Sequence, residues 1–208
     1  MKILIGTPIH QAKDYAMERW LKNVANLRKL SPSNLLLVDN SPTENYCEKV
    51  KTYCDKIGIT NYKIQHVDFK KNESSDLRIE YCQELIRQYC LTRNYDAWFS
   101  WECDQIIPTN TLGKLIQMMK SGNYSMVIAN SRARWDPTVL NTNMGITLIS
   151  FRCLKKNLFL PSREGKISLD PKNTYDINTY EYKKRVLASK QRYIEVFGII
   201  KPIYHLNQ

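Results

Sequence analysis

Apolar residues fall into two patterns that alternate along the first half of the chain. Residues 2–5 form a short, largely apolar strand, and residues 35–38 are apolar on both faces, as a buried parallel strand requires. Residues 62–67 and 95–101 read as two further strands. Between these runs the apolar positions recur every three or four residues. Ala16, Trp20, Val24 and Leu27 predict a helix over 14–30. Tyr46, Val50, Cys54 and Ile57 predict a second, opened by a capping box at Ser41, Pro42 and Glu44 and stopped by Gly58. Ile79, Cys82, Ile86 and Tyr89 give the inner stripe of a third, running from Ser75 or Asp76 to about Leu91.

In the second half, Thr109 or Thr111 opens a helix through Leu115 and Met119 to Gly122. Strands are expected at 126–129 and 146–149, a loop at 162–172, a helix over about 178–190, and strands near 193–197 and 199–204. The alternation implies an α/β domain with a mainly parallel central sheet flanked by helices. At 208 residues the chain fits one such domain. Ligands of these sheets bind outside the carboxyl ends of the strands. Three strand ends carry polar groups here: Thr7, then Asp39 with Asn40, then Glu102 with Asp104.

Composition narrows the picture further. With 43% hydrophobic residues the chain can bury a sizeable core, and no apolar run reaches the roughly 18 residues of a membrane helix. Met1 leads straight into the first strand, leaving no room for a secretory leader, so a cytoplasmic location is expected. The six cysteines form no CxxC and no zinc-ligand spacing, which predicts buried thiols. A net charge of +11 invites a nucleic-acid partner, yet the basic residues are spread out in short doublets without a recognition motif. No specific nucleic acid is expected. A general positive field equally suits anionic sugar nucleotides, phosphorylated acceptors or peripheral contact with an acidic membrane.

The sharpest chemical signal is Glu102-Cys103-Asp104, directly after the apolar run 95–101. Carboxylates at i and i+2 of a strand end project to one side and offer a seat to Mg²⁺ or Mn²⁺. No Gly-rich loop follows Ile5, which counts against a nucleotidyltransferase, a dehydrogenase and a methyltransferase. A non-catalytic basic module for nucleic acid or polysaccharide stands as the alternative outside enzymes.

Five segments occur in a characteristic order: Gly6-Thr7-Pro8-Ile9, Val38-Asp39-Asn40-Ser41, Glu102-Cys103-Asp104 continued by Gln105-Ile106-Ile107-Pro108, Asn143-Met144-Gly145-Ile146-Thr147-Leu148-Ile149, and Tyr204-His205-Leu206. Together they resemble the GT-A glycosyltransferases, especially the family-2-like group. The resemblance implies a single GT-A-like (Rossmann-like) domain with a nucleotide-binding half, 1–105, and an acceptor-binding half, 106–208. It implies transfer of a hexosyl or deoxyhexosyl group from a nucleotide-sugar donor, UDP-linked, to a hydroxyl of a glycan or related acceptor, with inversion favoured over retention. The cofactor would be Mn²⁺ or Mg²⁺, held by Glu102, Asp104 and His205. Thr7, Pro8, Asp39 and Asn40 would hold the nucleoside. Arg78, with Arg132 and Arg134 as further candidates, would meet the diphosphate or the acceptor, and Trp135 a sugar face. The base would be Asp176, then Glu181, with Asp170 behind them. Two departures are visible: Glu replaces the first Asp of the metal motif, shifting direct ligation towards Asp104, and no E-D base motif stands out near 170–182.

Overall fold

The computed structural model describes residues 1–70, 73–132, 140–141, 143–159 and 177–206. Among these the elements follow as β1 (Ile3–Ile9), α1 (Asp14–Leu30), β2 (Asn34–Asp39), α2 (Asn45–Ile57), β3 (Tyr62–His66), α3 (Ser75–Thr92), β4 (Ala97–Trp101), β5 (Gln105–Ile106), α4 (Thr111–Ser121), β6 (Met126–Ala129), β7 (Ser131–Arg132), β8 (Leu140–Asn141), β9 (Ile146–Ser150), α5 (Phe151–Lys156), α6 (Ile177–Ala188), β10 (Tyr193–Val196) and β11 (Tyr204–His205). Seven strands make one sheet in the order β10-β6-β9-β4-β1-β2-β3. All of its pairings are parallel except those of β9, which runs antiparallel to both β4 and β6. The mostly parallel sheet expected from the sequence is present.

Both faces of that sheet are apolar, and the strand pleat divides them. Ile3, Ile5, Leu35, Leu37, Phe99 and Leu148 pack on one side with Trp20, Leu21 and Val24 of α1, Val50 of α2 and Leu115 of α4. Leu4, Leu36, Val38, Trp98, Ile128 and Ile149 face the other side, with Cys82 and Ile86 of α3, Cys153 of α5 and Tyr182 of α6. Three layers result, helices over sheet over helices. Gly6 allows α3 to lie close on β1: a Cβ there would collide with Ile86 Cγ2 and come within 2.7 Å of Trp98 Nε1. Trp98 Nε1 instead donates to the Gly6 carbonyl at 2.9 Å.

Several expectations need correction. Ser41 does not cap α2. Its hydroxyl donates to Asp39 Oδ1 at 2.6 Å and accepts from Gln11 N at 2.8 Å, so the helix starts only at Asn45. Ile79 faces out, 39% exposed, because the first turns of α3 overhang a cleft rather than the core. The expected strand over 199–204 reduces to Tyr204–His205, paired antiparallel with Gln105–Ile106 in a separate two-stranded sheet. The short helix α5, six residues long, was not anticipated. All six cysteines are free thiols, as expected. Among the described residues no helix is long and apolar enough to cross a membrane.

Candidate functional site

The chain reverses direction across the sheet at β1, which pairs with β2 on one side and β4 on the other. Such a switch point leaves a crevice at the carboxyl ends of the strands. Here that crevice is a cleft of about 520 Å³, walled by Thr7 to His10 at the end of β1, Asn40 after β2, Ser100 to Cys103 at the end of β4, the first turns of α3, and Asn143 with Met144. A broader hollow of about 700 Å³ lies at the opposite rim, near Lys2, Arg28, Lys29 and Asn34. Its cations are already engaged there, Lys2 on the Arg93 carbonyl, Arg28 on the Ser33 carbonyl and Lys29 on Asn26. The chemistry gathers at the first cleft.

Positive groups and N–H donors line that cleft. Lys13, Arg78 and His10 all reach it, as does the amino end of α3, whose backbone N–H groups favour anions. Burial first, and then the positive charges of Arg78 and Lys13, outweigh Asp39 and keep His10 below its ordinary pKa. The ring is therefore neutral at pH 7. Its Nδ1 accepts from Ala12 N at 3.0 Å, so the ring proton sits on Nε2 as a donor. Gln83, 7% exposed, also lines the cleft, and its Oε1 has no hydrogen-bond partner.

Thr7 is fully buried and donates to the Trp101 carbonyl at 2.8 Å, pinning the end of β1 to the end of β4. Asp39 is buried too. Its Oδ1 accepts from Ser41 N (3.0 Å) and Ser41 Oγ (2.6 Å), and its Oδ2 meets His66 Nδ1 (2.8 Å) and Cys47 Sγ (3.5 Å). One carboxylate thus ties β2 to β3, to α2 and, through Ser41 and Gln11, to the loop after β1. Asn40, not Asp39, lines the cleft itself. Asp39, Cys47 and His66 present three possible ligand atoms within 4.8 Å of one another. Burial and then the Asp39 charge push the Cys47 thiol up to about 12, so at neutral pH it is a hydrogen-bond donor rather than a thiolate ligand.

The alternation that would aim Glu102 and Asp104 to one side stops at Trp101, where β4 ends. Gln105 N bonds back to the Glu102 carbonyl at 3.2 Å, so residues 102–105 form a turn. Asp104 is fully buried, with Oδ2 3.1 Å from Lys13 Nζ and 3.5 Å from Tyr15 Oη. Glu102 turns elsewhere: its Oε2 accepts from Gln105 Nε2 at 3.0 Å and its Oε1 from Asn143 Nδ2 at 3.3 Å. His205 Nε2 stands 4.0 Å from Glu102 Oε2 and 2.9 Å from Gln105 Nε2. The structure therefore brings Glu102 and His205 together and holds Asp104 against Lys13. Cys103 is buried between the two acids, and burial pushes its thiol up to about 12, which leaves it inert.

Gly145 lets this cluster close. A Cβ there would lie 2.8 Å from both Asn143 Oδ1 and Gln105 Nε2, and 3.0 Å from Glu102 Cδ. On the acceptor side, Thr179 Oγ1 of α6 accepts from Met144 N at 3.2 Å, so the start of α6 abuts the cleft wall. Glu181 points away from it, 47% exposed and 3.0 Å from Lys184 Nζ. Asp170, Asp176, Arg134 and Trp135, and the side chain of Arg132, lie outside the described residues. Sequence reasoning gave no individual role to Lys13, His10, Gln83, Gln105 or Asn143. Local signals were present for three of them: Gln105 and Asn143 lie in the segments that carry the resemblance, and His10 follows the first strand.

No protein-family model and no curated protein matches the chain. Solved structures do. TarS of S. aureus aligns over 95% of this chain and 35% of its own, at 12% identity and a TM-score of 0.63. The mannosyltransferase PcManGT of Pyrobaculum calidifontis, solved with GDP-Man and Mn²⁺, aligns over 95% of this chain and 55% of its own, at 9% identity and a TM-score of 0.67. S. aureus TarS 1-349 with UDP aligns over 94% and 61%, at 14% identity and a TM-score of 0.60. At such identities the shared property is the fold, and this chain has the GT-A-like glycosyltransferase fold. It spans between 35% and 61% of the length of these three structures.

Proposed function

We propose that this chain is the catalytic unit of a glycosyltransferase, moving a hexosyl or deoxyhexosyl group from a nucleoside-diphosphate donor, UDP-linked, to a hydroxyl of a glycan acceptor with inversion. One observation carries the reading: at the switch point of a GT-A-like sheet, a cleft lined by Lys13, Arg78 and the His10 N–H adjoins the Glu102–His205 pair. Cationic and N–H groups suit a diphosphate, and a carboxylate beside an imidazole suits a divalent ion. The known proteins of this fold include one solved with UDP and one with GDP-Man and Mn²⁺, which favours the same ligand classes here.

The donor set fits Mn²⁺ or Mg²⁺ in part. Glu102 and His205, 4.0 Å apart, would hold the ion, whereas the Asp104 carboxylate is already met by the Lys13 ammonium. A bound cation would neutralise charge building on the leaving nucleoside diphosphate. The chain's own residues do the rest. Asn40, Thr7 and Pro8 shape the nucleoside end, with Asp39 stiffening the loop behind them. Arg78, Lys13 and His10 bind phosphate oxygens. A carboxylate takes the proton of the acceptor hydroxyl; Asp176 is the candidate, because Glu181 is turned out to Lys184. The acceptor oxygen bonds the anomeric carbon as the bond to the phosphate oxygen breaks, and its electron pair leaves with the diphosphate.

A thermal-shift series with UDP, GDP and ADP, each with Mn²⁺ or with a chelator, tests the reading. Stabilisation by one nucleoside diphosphate, weakened at least about tenfold in affinity by Arg78→Ala (about 1.4 kcal/mol), is expected. No stabilisation by any of them, alongside intact folding, would overturn it.

A further inference from the structure

We propose that the rim of the sheet opposite the cleft is a docking surface for an acidic membrane, on which the protein lies with its cleft turned to the water. The inference is independent of the reaction proposed above.

The parallel strands β1, β2, β4, β6 and β10 all begin at this rim, and β9 ends there. Hydrogen bonds tie its loops into one surface. Lys2 N donates to the Asp96 carboxylate at 2.6 Å, and Phe151 N to the Asp96 carbonyl at 2.8 Å. Arg152 then donates to Ser125 Oγ at 3.0 Å, and Ser125 N to the Arg192 carbonyl at 2.8 Å. Gln191 Nε2 returns to the Arg152 carbonyl at 3.0 Å, and Asn157 Nδ2 meets Gln191 Oε1 at 3.0 Å.

Cations crowd this surface. At one end Lys2, Arg28 and Lys29 line the hollow of about 700 Å³, and no carboxylate stands in its wall. The groups they bond, the Arg93 and Ser33 carbonyls and Asn26 Oδ1, are neutral, so these charges are not cancelled. Lys22, also in the wall, is paired with Glu18 at 3.0 Å. Towards the other end stand Lys155, Lys156, Lys190 and Arg192, all exposed. Among the described residues the acids of the rim are Asp96 and, at the end of α2, Asp55, which accepts from Tyr62 Oη at 2.9 Å. A cation at the carboxyl end of a helix is an ordinary complement to its dipole. That does not explain the apolar side chains set among the cations. Leu30 is 64% exposed beside Lys29, Leu158 is 52% exposed after Asn157, and Leu187 is 56% exposed in the last turn of α6. Leucines among cations, with few acids, suit an anionic bilayer: the cations meet head groups and the leucines enter the acyl boundary. A nucleic-acid backbone would use the charges and leave the leucines in water.

The test is co-sedimentation of the whole chain with vesicles of phosphatidylcholine alone or with about one-third phosphatidylserine, at about 0.1 M and about 0.5 M salt. Binding is expected to the mixed vesicles at the lower salt. Each cation near an anionic surface is worth about fivefold in partitioning. The triple variant Lys155→Gln, Lys156→Gln, Lys190→Gln should therefore bind about a hundredfold more weakly. The triple Lys49→Gln, Lys51→Gln, Lys201→Gln loses the same charge from exposed positions off the rim and should stay within about threefold of the parent. Leu158→Ser with Leu187→Ser keeps every charge and should lose about tenfold. Urea melts of all three should match the parent, because every substituted side chain is exposed. Equal falls in the two lysine triples, parental binding in the leucine pair, or no preference for the mixed vesicles would overturn the proposal. Duplex DNA bound ahead of those vesicles at the same salt, and lost in the rim triple, would overturn it too and give the rim to nucleic acid.

Discussion

Adding one methyl group at Gly145 should damage the site more than the fold. The Cβ of Gly145→Ala would lie 2.8 Å from Gln105 Nε2, 2.8 Å from Asn143 Oδ1 and 3.0 Å from Glu102 Cδ. Ordinary carbon contacts begin several tenths of an ångström further out, and Gln105 is fully buried, so it has no solvent to retreat into. Overpacking of this kind costs about 1–3 kcal/mol. Against it stands about 0.4–1 kcal/mol from the stiffer unfolded chain, because alanine has fewer backbone conformations than glycine. The net loss is about 1–2 kcal/mol, or roughly 2–8 °C in Tm for a chain of this size. Glu102 and Gln105 would be the groups displaced, so Mn²⁺ affinity should fall by at least about tenfold, as loss of orienting contacts around a metal commonly does. Urea melts and Mn²⁺ titrations on the same samples measure both. Pairing Gly145→Ala with Gln105→Ala should recover much of the stability, a non-additivity expected only of side chains in contact. An unchanged melt with unchanged Mn²⁺ affinity would refute the close packing from which the cluster is built.

Contacts elsewhere in the fold set further expectations. Arg87 binds Glu84 through three bonds of 2.7–3.0 Å and reaches the Leu154 carbonyl at 2.7 Å, with both side chains under 10% exposed. Arg87→Met strands a buried carboxylate and should cost about 3–5 kcal/mol in a urea melt at pH 7. Burial raises the Glu84 pKa, but its bonds to Arg87, Phe159 N and Gln88 prevail and lower it below 4.5. In the parent, that contribution is complete above about pH 4.5 and is lost as pH falls through the lower folded value, so the gap between parent and variant should narrow in acid. His66 has the opposite sign: burial lowers its pKa, and hydrogen bonds from its ring to the carboxylates of Asp39 and Asp68 more than reverse this, leaving it above 6.5. The stability gap between parent and His66→Gln should be full below about pH 6.5 and close as pH rises through the folded value, as pH-resolved melts would report. Removal of residues 204–208 takes away β11 and His205 but leaves the seven-stranded sheet. Circular dichroism should stay native while Mn²⁺ binding drops at least about tenfold, and full binding in that truncation would exclude His205 as a ligand.

The layered core was legible because it rests on local signals. Leu35 to Val38 are apolar on both faces, and Ala16, Trp20, Val24 and Leu27 are spaced for a single helix face; all eight are buried. The entry to α2 was misread because Ser41, a capping residue by type, is recruited by Asp39 instead, and a tertiary contact of that kind leaves no mark on the local pattern. Similar reasons separate the parts of the site. Glu102 was legible as an acid at a strand end. Its partners were less so: Gln105 meets His205 across 100 positions of sequence, and Lys13 reads as a surface charge until the fold sets it against a buried carboxylate. Asp39 was legible as important, but its hydrogen bonds, not its type, decide that it faces the protein and Asn40 the cleft.

The β5–β11 ladder has a consequence for where this protein opens first. The seven-stranded sheet is complete with β10, and β11 pairs outside it, with β5 alone. Only when Leu206 N reaches the Asp104 carbonyl, at 2.8 Å, does the late strand lock down beside Glu102. Two residues on each strand, with no third strand beside them, are held by few backbone bonds, so the amide protons of this corner should exchange with solvent well before those of the seven-stranded sheet.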